Sequence, residues 1–163
     1  FIRQHVPLYL DRVTHKVSIV DNDKFNELTN KDYNMNKIKA MLHLHVLSRL
    51  KLEVGRDTVS YIDQFCSEEN FKKYTEGMKA IQPLVMKEKG ESLFPSTALA
   101  SVLARYYFLK EMAKINQKYH TQIPLGASTR VDEFAREFKE KHGMTALNKI
   151  VKKNFANYRR LDA

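Results

Sequence analysis

The sequence predicts an all-α fold: one domain over residues 1–163, built as an up-and-down bundle of five to seven helices. Three observations point there. Apolar residues recur at spacings of three and four along most of the chain. Five Gly and four Pro are few for an all-β chain, which turns about every 8–12 residues. At 163 residues and 43% hydrophobic, the chain can bury a core without cross-links.

Pro7 suits a first helical turn, where its missing N–H is not needed. Leu10, Val13, Val17 and Val20 follow at helical spacing, so a first helix is expected to end near Asp21-Asn22-Asp23. A polar, Asn-rich stretch runs to Asn36, with a short turn around Phe25 and Leu28. From Met35 to Val54 one face carries Met35, Ile38, Leu42, Val46 and Leu50, and a second carries Met41, Leu44 and Leu47. Two apolar faces describe a helix buried on most sides, and Gly55 suits its stop. Asp57 or Thr58 would cap a short helix through Cys66. Ser67 with Glu68 and Glu69 opens the next, with Phe71, Tyr74, Met78, Ile81 and Val85 inward and Pro83 dividing it. Lys87–Pro95 reads as a linker. Ser96 or Thr97 caps a long helix with Leu99, Val102, Tyr106, Leu109 and Met112 inward, ending before Ile123-Pro124-Leu125-Gly126. Ser128 or Thr129 opens another, broken at Gly143. Thr145 starts a last helix carrying Leu147, Ile150, Val151, Phe155 and Tyr158.

Charge is the main functional signal: 28 Lys and Arg against 19 Asp and Glu, a net +9. Such a surface calls for an acidic partner. Lys110, Lys114 and Lys118 recur at i+4 and stack as one cationic row, with Tyr107 a turn earlier. Residues 139–163 hold seven basic residues against two acidic ones, among them Lys149, Lys152, Lys153, Arg159 and Arg160. Lys149 and Lys153 are expected to share a face with Arg160. A solvated helix face is the plain alternative for either cluster.

Other chemistry is thin. His43 and His45 point to different sides of a helix and cannot share a metal. His5, His15, His120 and His142 lack ligand partners nearby in sequence. Cys66 stands alone, so no intrachain disulfide forms; it reads as a buried small hydrophobe, with linkage between two copies as an alternative. Asp21-x-Asp23 fails as a calcium loop because Phe25 and Asn26 occupy the third-ligand and glycine positions. No nucleophile elbow, zinc-finger spacing or phosphate loop is spelled out, and no cofactor or metal is expected. No apolar run approaches the ~18 residues of a membrane span. Phe1 in place of Met suggests a trimmed chain, whether by removal of a secretory signal or by a boundary chosen inside a longer one.

Three segments carry a family resemblance. His5-Val6-Pro7 with Leu10 resembles a His-x-x-x-Pro opening, at a different spacing. Leu50-Lys51-Leu52-Glu53-Val54-Gly55-Arg56-Asp57-Thr58-Val59 resembles a Leu-Arg-Val-x-Gly-Arg-Thr stretch. Ser96-Thr97-Ala98-Leu99 through Lys110 is similar to a Thr-Arg-Leu helix that runs into Tyr-Phe. The family is that of the abalone sperm acrosomal proteins, lysin and its eighteen-kilodalton fusion-associated relative. The absence of Trp, extra residues around 22–36 and a longer basic C-terminal end make the chain resemble a diverged paralogue. The resemblance implies a secreted, non-enzymatic helical protein of the acrosomal vesicle, active in fertilization and possessing no cofactor. Its partner would be an acidic egg-coat glycoprotein or an anionic membrane surface, with self-association open. Lys110, Lys114, Lys118 and the C-terminal cations would supply the attraction. Two alternatives stand beside it: an intracellular helical nucleic-acid-binding protein, and a helical signalling or effector protein.

Overall fold

The computed structural model describes residues 1–126, 128–155 and 158. Among these described residues the α-helices are α1 (Ile2–His5), α2 (Asn22–Asn30), α3 (Met35–Val54), α4 (Glu68–Tyr74), α5 (Gly90–Leu93), α6 (Pro95–Tyr119) and α7 (Thr129–Ile150). Two strands, β1 (Ser60–Asp63) and β2 (Leu84–Lys87), pair in parallel with Ser60 opposite Leu84 and Asp63 opposite Lys87. The expected all-α bundle is therefore wrong: the chain is α/β, with a βαβ unit formed by β1, α4 and β2. Both strands fall where helix was expected. Tyr61 and Ile62 in one, and Val85 following Ile81 in the other, also satisfy a helical spacing, and four residues are too short to display a period of two.

The chain divides into two units, residues 1–18 with 34–109, and residues 19–33 with 110–163. In the first, α3 begins where the Asn34 side chain accepts the Lys37 N–H at 2.8 Å and stops at Gly55, whose φ of 103° suits glycine. Ser67 caps α4 by accepting the Asn70 N–H at 3.2 Å. Ala40 of α3, Phe71 of α4, Ile62 of β1 and Met86 of β2 form one core, flanked by Leu47, Phe65 and Tyr74. The two helices thus cover one face of the strand pair. On the other pleat parity Tyr61 stacks on Phe94 at 4.1 Å, while Tyr61, Leu93, Leu99 and Val102 stay exposed.

Lys51 is buried without a carboxylate partner among the described residues. Its Nζ donates to the carbonyls of Arg56, Thr58 and Gln82 at 2.8, 2.6 and 2.9 Å. It ties the end of α3 to the segments that enter β1 and β2. The first helix expected from Pro7 to Val20 is not formed: α1 precedes Pro7, two 3₁₀ turns follow at Val6–Leu8 and Leu10–Arg12, and residues 14–21 have no regular structure. The β-branched run Val13, Thr14, Val17, Ile19 and Val20 disfavours helix.

In the second unit, Asp21 caps α2, and Ala135, Phe138 and Leu147 of α7 form the core with Tyr119 and Phe134 alongside. Gly143 interrupts α7 at φ 81°, ψ 165°, where the sequence placed a break. The buried Asn26 amide donates to the carbonyls of Asn148 and Val151, and its oxygen accepts the Lys153 N–H at 2.9 Å. The expected last helix is shorter, since α7 ends at Ile150.

Candidate active site

Parallel strands carry functional groups at their carboxyl ends, where the loops that follow them converge. Here β1 ends on Asp63 and β2 on Lys87, and the ladder closes with the Gln64 N–H donating to the Lys87 carbonyl at 2.9 Å. Lys89, in the left-handed conformation at φ 56°, turns the chain into α5. Gly90 then lies against Asp63: its N–H donates to Asp63 Oδ1 at 2.7 Å. A Cβ at residue 90 would stand 2.9 Å from the Asp63 Cα, 3.1 Å from its N and 3.3 Å from its Cβ. Only a glycine allows this approach. The next residue, Glu91, is exposed in the first turn of α5. Asp63 and the backbone that carries Glu91, 28 positions apart in the sequence, thus come to one corner, the Asp63 carboxylate held by a backbone N–H.

The α3 side of this corner is cationic and aromatic. His43 stacks on Phe65 with ring centroids 5.3 Å apart, and Lys39 Nζ lies 5.5 Å from the Phe65 centroid. Burial of the ring, then the charge of Lys39, holds the His43 imidazole below its usual range, with Asp63 opposing, although much of the residue's surface stays exposed. Burial pushes the Cys66 thiol up against the opposing charge of Lys39, and Cys66 packs on the core as a small hydrophobe. No group of three or more His, Cys, Asp or Glu poised for a metal ion exists among the described residues.

The cations singled out in the sequence belong to the second unit. Lys110, Lys114 and Lys118 are exposed on α6; Lys114 pairs with Glu111 at 2.6 Å, and Lys118 lies 5.3 Å from the Tyr119 ring centroid. Lys149 is exposed near the end of α7, while Lys152 and Lys153 follow it. Lys152 Nζ sits 4.6 Å from the Phe25 ring centroid, and Lys153 is half-buried. The expected common helix face of Lys149 and Lys153 is not formed, because α7 stops between them. Arg159 and Arg160 lie outside the described residues. Sequence reasoning missed Asp63, Gly90 and Glu91. The available signal was an acid ending a short β-branched and aromatic stretch, with a Lys-Gly-Glu turn downstream.

Comparison with known proteins gives a consistent result. The family model described as Ribonuclease HII matches residues 3–158. Ribonuclease HIII of Phytoplasma mali is 35% identical over 157 residues, covering 96% of this chain and 54% of the relative. Ribonuclease HIII of Bacillus mycoides is 36% identical over 157 residues, covering 94% and 48%. The crystal structure of Bst-RNase HIII in complex with Mn2+ superposes with a TM-score of 0.91 at 29% identity, covering 98% of this chain and 53% of that one. The chain spans about half the length of the curated relatives it matches.

These findings overturn the acrosomal resemblance. The three short segments that carried it are local likenesses of composition, whereas the match to bacterial ribonucleases runs along nearly the whole chain. With the resemblance fall the non-enzymatic reading, the role in fertilization, the egg-coat or membrane partner and the secreted, acrosomal location. Of the alternatives, nucleic-acid binding fits the comparisons better. Matched by the family's model from residue 3 to residue 158, the chain belongs to the ribonuclease HII family.

Proposed function

We propose that this chain carries part of the active site of a ribonuclease that hydrolyses the RNA strand of an RNA–DNA hybrid, with Asp63 and Glu91 as its acids. The observation that carries the reading is the Asp63–Gly90 contact. It fixes the Asp63 carboxylate at the end of β1 against Gly90, one residue along the chain from Glu91, in a chain of a ribonuclease family.

The chemistry of the donors suits a hard divalent cation, which prefers carboxylate oxygen. Asp63 and Glu91 would hold it as part of a larger oxygen set, since two carboxylates leave most of such an ion's coordination to other ligands. Such a cation supplies Lewis-acid polarisation of a phosphoryl oxygen. The protein's own part is positioning. The Gly90 N–H holds Asp63 Oδ1, so that Oδ2 keeps one direction, and the missing Cβ lets α5 bring Glu91 close. Neighbouring cations offset the repulsion between this acidic corner and a polyanion. The basic surface, with Lys110, Lys114 and Lys118 its clearest row, supplies longer-range attraction to the nucleic-acid backbone.

The test is cleavage of a hybrid with labelled RNA, in Mn2+ or Mg2+, beside the matching DNA duplex. Cutting confined to the RNA strand, and slowed at least about 100-fold by Asp63→Asn, is the expected result. Equal cutting of duplex DNA, undiminished cutting by the variant, or no cation-dependent cutting refutes the reading.

A further inference from the structure

We infer that Lys39, carried on α3 and laid against Phe65, is a positioning residue that grips a backbone phosphate of the nucleic acid next to the reacting one. The inference rests on the function proposed above. It starts from an electrostatic problem: Asp63 and Glu91 repel a polyanion, so a strand entering their corner needs a fixed cation nearby.

Lys39 meets that need in three ways. First, its place is fixed. Lys39 and His43 stand at i and i+4 on one face of α3, and both meet the ring of Phe65, two residues beyond Asp63. Phe65 in turn meets Phe71 of the core edge-on at 6.3 Å, so the aromatic platform is anchored. Second, the charge is available. Lys39 is exposed, and none of the ion pairs among the described residues uses it. Third, it lies near the corner: Lys39 shares the Phe65 ring with His43, and both Lys39 and Asp63 act on the His43 imidazole. A lysine laid over an aromatic face loses less freedom on binding than one extended into solvent. Its compact ammonium suits a single phosphate as a point charge.

The experiment is binding of a short RNA–DNA hybrid to the chain, followed by fluorescence anisotropy without divalent cation while salt is raised. Each phosphate contact contributes about 0.9 to the slope of log affinity against log salt. Lys39→Gln is expected to flatten the slope by about that amount, so a rise from about 50 to about 200 mM salt costs the variant roughly 3.5-fold less affinity than the unaltered chain. Lys39→Arg keeps the slope, and Lys72→Gln, an exposed change on α4, serves as the comparison. Thermal melts of the same samples report whether the variants are folded. An unchanged slope in Lys39→Gln overturns the inference and leaves the proposed function standing. An equal flattening in Lys72→Gln overturns it too, since the effect would then belong to overall charge. Absence of salt-dependent hybrid binding by the unaltered chain overturns both.

Discussion

Replacing Gly90 by Ala tests whether the close approach of α5 to β1 builds the site. The added Cβ meets the Asp63 Cα at 2.9 Å and the Asp63 N at 3.1 Å. Both are backbone atoms of a strand paired residue by residue with β2, so no flexible side-chain end can yield. Overpacking of this kind costs about 1–3 kcal/mol. Alanine recovers up to about 1 kcal/mol through its helix preference. With the full recovery subtracted, the net loss is expected to be about 0–2 kcal/mol. The effect on catalysis should be larger. Relief of the clash pushes Gly90 away from Asp63, lengthens the 2.7 Å hydrogen bond and releases the carboxylate. A displacement of about 1 Å costs roughly 100-fold in rate. Urea denaturation gives the first quantity, from a change of midpoint at constant slope, and hybrid cleavage gives the second. Stability and cleavage both unchanged would refute the packing argument. A large stability loss with full activity in the folded fraction would refute the link to the site.

Further outcomes follow from other contacts. Lys51→Met should destabilise the first unit by about 1–3 kcal/mol in urea melts, since the carbonyls of Arg56, Thr58 and Gln82 lose a shared charged donor. Asn26→Ala should cost about 1–3 kcal/mol and expose the end of α7 to hydrogen exchange, because one side chain serves Asn148, Val151 and Lys153. Hydrogen bonds from Lys24 and Lys31 lower the Glu27 carboxyl from 4.5 to about 2. A depressed carboxyl contributes stability above its unfolded value, and that contribution is lost as pH falls from about 4.5 towards about 2. Because Glu27 is exposed the effect is small, and Glu27→Gln should flatten the acid limb of a melting curve in that window. Charge reversal at Lys110, Lys114 and Lys118 together should weaken hybrid binding and leave the far-ultraviolet helix signal intact; undiminished affinity would remove that row from the proposal.

The long helices were legible because their signals are local and repeated. The apolar faces of Met35–Val54 and the stop at Gly55 describe α3 almost to its ends, and the Ser67 cap and the break at Gly143 fall where the sequence places them. The strands were not legible. Each has four residues, and their neighbours Ile81 and Val59 complete a plausible helical stripe. What makes Ser60–Asp63 a strand is pairing with Leu84–Lys87, a partner more than 20 residues away. The site was hidden for the same reason. Asp63 and the Gly90–Glu91 turn come together only through that pairing, and Gly90 gains its meaning only once Asp63 lies beside it. Net charge, by contrast, is readable without a fold. It points to an acidic partner, whereas the egg-coat or membrane partner rested on short motif likenesses alone.

The most direct test of the carboxylate corner is a Mn2+ titration followed by electron paramagnetic resonance, comparing the unaltered chain with Asp63→Asn and Glu91→Gln. The expected result is Mn2+ binding by the unaltered chain that weakens in each variant while both remain folded. Mn2+ binding of equal strength in all three would show that Asp63 and Glu91 do not form the site.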